Sequence, residues 1–146
     1  MNRNLLWSAF GLLVLVLAAC GGSATPAAPS GTVGSVVQTD GGSYTNLTPQ
    51  ELKAMLEHKD FVFVNTHIPY EGELEGTDAF VPYDALAENL GKLPSDKNAK
   101  IVLYCRSGRM STSAAQELVK KGFTNVYNLD GGWEGWKAAG FPFVNK

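Results

Sequence analysis

The residues best suited to chemistry in this chain are Cys105 and the loop behind it: Arg106, Ser107, Gly108, Arg109, Met110 and Ser111. The apolar run Ile101-Val-Leu-Tyr104 leads into the cysteine, and an amphipathic stretch begins at Ser111. A strand, a tight loop and a helix are predicted in that order, and such a loop turns its N–H groups inward. Three features then favour the thiolate of Cys105 over its thiol. They are the loop N–H groups, the positive end of the helix, and the charges of Arg106 and Arg109, either of which can face the sulfur. Gly108 lets the backbone curl closely, and Ser111 offers a hydroxyl donor. The thiolate is the nucleophilic form, so the pattern predicts a reactive sulfur in an electropositive cradle, open to solvent. The competing reading is an inert cysteine closing a core strand, and polar Arg106, Ser107 and Arg109 speak against it.

The positioning elements follow from periodicity. Thr48-Pro49-Gln50-Glu51 is a capping box with proline in the first turn, opening a helix to about His58. Phe61-Val-Phe-Val64 is apolar throughout, as in a strand covered on both faces. A loop from Asn65 to Asp78 carries Glu71, Glu73, Glu75 and Asp78, which reads chiefly as a solvated surface. Ala79-Phe-Val81 is a short strand stopped by Pro82, and Asp84 caps a helix to about Leu90. Ser111 to Lys121 is a helix ended by Gly122, Asn125-Val-Tyr-Asn-Leu129 a strand, and Trp133 to Ala139 a last helix after the turn Asp130-Gly131-Gly132. Strands alternating with helices predict an α/β domain with a mostly parallel central sheet and helices on both faces. Ligands of such sheets bind at the carboxyl ends of strands, where Cys105 lies.

The first nineteen residues are set apart from the fold. Arg3 precedes an apolar run from Leu5 to Leu17, with small residues at Ala18 and Ala19, the pattern of a secretory signal. Leu17-Ala-Ala-Cys20 resembles the bacterial lipobox, which implies diacylation of Cys20 and anchoring outside the cytoplasm, at the cell membrane or outer membrane. Each buried methylene of such chains contributes about 0.8 kcal/mol. The alternative is an ordinary cleaved signal. Residues 20–43 are polar and glycine-rich and read as a flexible tether, leaving 44–146 as one small domain. With Cys20 acylated, Cys105 has no disulfide partner. Of twelve Lys and Arg, eleven remain after removal of Arg3, against fourteen Asp and Glu, so no basic stripe for nucleic acid arises. No pattern of metal, nucleotide or haem ligation occurs, and none indicates a cofactor or fixes an oligomeric state.

Three segments carry a family resemblance: Tyr104-Cys-Arg-Ser-Gly-Arg-Met-Ser-Thr-Ser-Ala-Ala-Gln-Glu-Leu118, Gly122-Phe-Thr-Asn-Val-Tyr-Asn-Leu-Asp-Gly-Gly-Trp133, and Trp136-Lys-Ala-Ala-Gly-Phe-Pro142. Together they resemble the rhodanese domain of sulfurtransferases, and Val81-Pro-Tyr-Asp-Ala-Leu86 resembles its strand-to-helix step. The resemblance implies a three-layer fold and transfer of sulfane sulfur through a Cys105 persulfide. The implied partners are a small donor such as thiosulfate and a thiol or cyanide acceptor. A persulfide carrier that does not turn over would use the same loop. The first half departs from the family: Asn65-Thr66-His67 stands where Asp-Val-Arg is usual, and Gly76-Thr77-Asp78 where Gly-His-Ile-Pro-Gly is. His67, Gly131 and Gly132 are expected at the pocket rim. His67 there is either an acid or donor at the mouth or a loop histidine with no catalytic task, and Tyr83 is a further candidate wall.

Cysteine phosphatases share this loop design but need arginine after five intervening residues, where this chain has Ser111. Sulfur is favoured over phosphorus on that ground. Arsenate reduction lacks a second cysteine to resolve an intermediate.

Overall fold

Ile101-Val-Leu-Tyr104 is apolar at every position, so both of its faces need cover. In the computed structural model, which describes residues 33–144, it becomes a central strand. The signal segment 1–19, Cys20 and the first part of the tether lie outside the described residues. The strands are β1 (Ser35–Thr39), β2 (Gly42–Leu47), β3 (Val62–Asn65), β4 (Ala79–Phe80), β5 (Ile101–Tyr104) and β6 (Val126–Leu129). They form one six-stranded sheet in the order β1-β2-β6-β5-β3-β4. All neighbours run parallel except the antiparallel hairpin β1–β2. The helices are α1 (Pro49–Glu57), α2 (Arg109–Lys120) and α3 (Gly132–Ala138).

Alternation along β5 divides the core in two. Ile101 and Leu103 pack with Val64, Val126 and the inner side of α2, namely Ala114, Ala115, Leu118 and Val119. Val102 and Tyr104 turn the other way, onto Leu52 of α1 and Trp133 and Trp136 of α3. Both faces are therefore covered, as the periodicity predicts.

Two expectations are corrected. The read tether ends earlier than position 43, because residues 35–39 pair with 42–46 across the two-residue turn Asp40-Gly41. Gly41 takes φ +95° there, the conformation an Asp-Gly hairpin turn requires. Val37, half-buried, packs on the core that α2 covers. The helix expected from Asp84 to Leu90 is instead two 3₁₀ turns, Tyr83–Ala85 and Leu90–Lys92. The Asn89 side-chain amide donates to the Ala85 carbonyl at 2.7 Å, taking the acceptor an α-helix would give to a backbone N–H.

Tyr104 organises the loop over the α1–α3 face. Its hydroxyl accepts from the Leu74 N–H at 3.0 Å and lies 2.7 Å from Thr77 Oγ1. The Thr77 hydroxyl donates to the Leu74 carbonyl at 2.6 Å, so Tyr104 is the donor to Thr77. Burial pushes the Tyr104 phenol well above its ordinary range, so it stays protonated and able to donate. Tyr104→Phe leaves a buried N–H unpaired and is expected to cost about 1–3 kcal/mol in urea unfolding; an unchanged midpoint would contradict this account.

The capping box is formed, and Glu51 also ties in the hairpin. Its carboxylate accepts from the Thr48 N–H at 2.8 Å and the Gly34 N–H at 2.9 Å. These bonds, Thr48 first, hold its pKa below the ordinary 4.5. Such a group adds stability that is complete above the unfolded value and lost as pH falls through the lowered folded one. Amide exchange at Gly34 and Thr48 should therefore quicken as pH drops below 4.5, after correction for intrinsic rates. Glu51→Gln should remove part of that acid dependence, and identical profiles for both proteins would refute it.

Candidate active site

Because β2, β3, β4, β5 and β6 are parallel, their carboxyl ends share one edge of the sheet. Cys105 follows β5 there, and the chain turns at Gly108, with φ +90°, straight into α2. Gly108 has no side chain with which to cap that helix, and its own N–H donates to Cys105 Sγ at 3.1 Å. The Ser111 hydroxyl lies 3.5 Å from the same sulfur and 3.1 Å from the Gly108 carbonyl, so its one proton serves either acceptor. The helix begins at Arg109, two residues earlier than the amphipathic pattern indicates. Hydrogen bonds and the positive end of a 12-residue helix both favour negative charge at that atom.

The other side of the loop rests on α3. The Trp133 N–H donates to the Cys105 carbonyl and the Glu134 N–H to the Arg106 carbonyl, each at 3.0 Å. This approach requires glycine at 132, where a Cβ would overlap the Cys105 and Arg106 carbonyls and where φ is +56°. Gly131 and Gly132, expected at the rim, thus lie against the loop backbone.

The expectation of a solvent-open sulfur is not met. Cys105 is 1 % exposed, with Gly108 and Ser111 buried around it. Arg106, Ser107 and Arg109 are exposed on the outer side of the loop, and Met110 is half-buried. Arg106 turns toward carboxylates: its Nε donates to Glu134 Oε1 at 2.8 Å, and Nη1 stands 3.6 Å from Glu71 Oε2. The hydrogen bond from Arg106 holds the Glu134 carboxyl below the usual range, and Glu134, then Glu71, hold the guanidinium proton more firmly. The Arg109 guanidinium makes no ion pair among the described residues. A backbone N–H and a hydroxyl, not guanidinium charge, make the observed contacts to the sulfur.

His67 is buried beside this network. Its Nε2 lies 3.1 Å from Glu71 Oε2, its ring meets Trp133 edge-on at 4.6 Å, and Nδ1 has no hydrogen-bond partner among the described residues. A cleft of about 430 Å³ opens alongside, lined by Glu71, Arg106, Trp133, Lys137 and Phe143. Tyr83 lies on a different cleft, beside Ser113 and Glu117. The acidic loop is more than a solvated run, because Glu71 belongs to this site and Asp78 accepts from Lys59 and the Phe63 N–H. Glu134 and Lys137 carried no signal in the sequence beyond their place in the helix after Gly131-Gly132. Among the described residues, no three His, Cys, Asp or Glu gather as a metal site.

Residues 48–139, more than half of the chain, match the model of the Rhodanese-like domain. The chain belongs to this family. It is 34% identical over 97 residues to the thiosulfate sulfurtransferase GlpE of Coxiella burnetii, covering 65% of this chain and 89% of that protein. It is 35% identical over 104 residues to the uncharacterized protein slr1261 of Synechocystis, covering 68% of this chain and only 57% of that one. The solution structure of the rhodanese-like domain of the Alr3790 protein from Anabaena superposes with a TM-score of 0.61 at 24% identity, covering 69% and 79% of the two chains. That likeness concerns the fold: a mixed α/β sheet with helices on both faces. Sulfurtransferase-like activity is supported at the level of the family.

The close backbone contact makes one substitution decisive. Gly132→Ala combines backbone overlap with a left-handed φ and is expected to cost about 2–4 kcal/mol. Thermal unfolding checks this, with Gly91→Ala, where a Cβ would meet open space, as the tolerated control. Equal melting temperatures for the two variants would contradict the account.

Proposed function

We propose that this protein is a sulfurtransferase that carries sulfane sulfur on Cys105. The observation that supports it best is the convergence of the Gly108 N–H and the Ser111 hydroxyl on a sulfur at the head of α2. In the first half-reaction the Cys105 thiolate attacks the outer sulfur of thiosulfate or a related donor. The donor S–S bond breaks, sulfite leaves with the bonding pair, and Cys105 keeps a persulfide anion. In the second, a thiol or cyanide takes the outer sulfur as persulfide or thiocyanate, and the thiolate returns. The donors that meet the thiolate suit the persulfide equally, since both are anionic sulfur.

Burial of the sulfur favours a second reading, a persulfide carrier that shelters its cargo and gives it only to a docked partner. We also propose that Cys20 is diacylated and becomes the mature N-terminus when residues 1–19 are removed, and that the domain works outside the cytoplasm on a lipid anchor. No helix among the described residues is long and apolar enough to cross a membrane. The proposed partners are a small donor, a thiol acceptor and the membrane, with no nucleic acid.

Incubation with thiosulfate should make Cys105 heavier by one sulfur atom in mass spectrometry, and cyanide should remove that sulfur as thiocyanate with turnover. Cys105→Ser should abolish both while keeping the circular dichroism spectrum. An adduct without turnover indicates the carrier; turnover by the serine variant, or no adduct on the native protein, refutes both readings.

A further inference from the structure

One buried side chain breaks the apolar pattern beneath α2. Along β6, Val126 packs on the core that α2 covers. Asn128, two places on and on the same face, is the next position for an apolar residue. It is instead an amide with no exposed surface. Its Nδ2 donates to Asn46 Oδ1 on β2 at 2.9 Å and to Thr112 Oγ1 on α2 at 3.3 Å. Its Oδ1 has no hydrogen-bond partner among the described residues. A buried carbonyl left unpaired lowers stability, so an apolar side chain of the same size would suit the fold better. What the amide supplies is its two protons.

The helix end that it reaches has little else to fix it. The buried apolar residues of α2 begin at Ala114, and no side chain caps the helix at Gly108. In the first turn Arg109 is exposed and Met110 half-buried. Ser111 turns to the Gly108 carbonyl and to Cys105 Sγ. Thr112 therefore makes the one side-chain hydrogen bond from that turn to a strand among the described residues. Its N–H also donates to the Gly108 carbonyl at 2.9 Å, so the residue that Asn128 holds belongs to the turn that meets the sulfur.

Resting on the proposed Cys105 persulfide, we infer that Asn128 is a positioning residue for the sulfur chemistry. Through Thr112 it ties the head of α2 to β6 and β2, and so fixes where the Gly108 N–H and the Ser111 hydroxyl stand relative to Cys105 Sγ. Those donors act on an anion, thiolate or persulfide, and a donor out of line loses strength steeply.

The test is single-turnover loading of Cys105 by thiosulfate in the full chain, followed across pH by mass spectrometry and sulfite release, beside thermal unfolding. Asn128→Leu removes both donors and the unpaired carbonyl with little change of volume. It should melt at the native temperature or above, yet load about three- to tenfold more slowly at neutral pH. The acid limb of its pH–rate profile should move to higher pH, because the thiolate is held less well. Thr112→Val should slow loading alike, the double variant no more than either single one, and Thr112→Ser should keep the native rate. An unmoved pH profile, with or without a lower melting temperature, marks a purely structural role and overturns the inference. Slowing that adds in the double variant overturns it too. If Asn128→Leu does not fold, Thr112→Val against Thr112→Ser decides by the same profile. Absence of loading in the native protein overturns the persulfide proposal beneath, whatever the variants do.

Discussion

Gly108 heads α2 with no side chain to satisfy the peptide groups of a helix start, and the N–H there goes to the sulfur of Cys105. That contact joins the end of β5, a left-handed glycine and the first turn of a 12-residue helix. On its far side the same cysteine gives its carbonyl to the Trp133 N–H at the head of α3. Cys105 is therefore held between the beginnings of two helices that pack on opposite faces of the sheet. Negative charge near a helix N-terminus gains about 0.3–1 kcal/mol when exposed and more when buried. The fold supplies that gain through elements fixed by the core, so no rearrangement is needed as charge develops.

Burial of the sulfur belongs to the same construction. The Gly132 backbone lies so close to the Cys105 and Arg106 carbonyls that no Cβ fits, and a Cβ at Gly108 would stand 3.2 Å from the Gly131 nitrogen. Backbone packed this tightly leaves little room for water. In such surroundings each donor on the sulfur counts for more than at an open surface, and an unpaired polar group would be costly. Ser111, fully buried, is tolerated because its hydroxyl has two acceptors within reach.

Most of the scaffold was legible from residue order. Apolar runs located β3 and β5, Thr48-Pro49-Gln50-Glu51 located α1, and the parallel sheet put Cys105 at a strand end. What escaped depended on pairings that hydrophobic periodicity does not report. The β1 strand was hidden by its polar composition, although Asp40-Gly41 is a hairpin signal and β2 supplies its pairing. The 3₁₀ turns after β4 arise where Asn89 competes for a carbonyl that periodicity assigns to a helix. The Arg106–Glu134 pair spans 28 positions, and no spacing rule joins a loop arginine to a glutamate of a later helix. The burial of Cys105 depends on α3 closing against the loop, which the polar neighbours of the cysteine do not reveal.

The arginines show why counting charges misled. Two cations in a loop of six suggest an ionic cradle, yet one is turned to carboxylates and the other points outward, while the sulfur is met by a peptide N–H and a hydroxyl. The two kinds of group answer to different constraints. Surface ions are screened by salt and neutralised by whichever counter-charge lies near, so their effect changes with single substitutions at the rim. A buried peptide dipole is fixed by the turn that carries it and changes only if the turn does. Assigning the sulfur to dipoles and the mouth to ions therefore separates two tasks: the reacting atom keeps one environment, while the groups that meet an incoming molecule are free to vary around it.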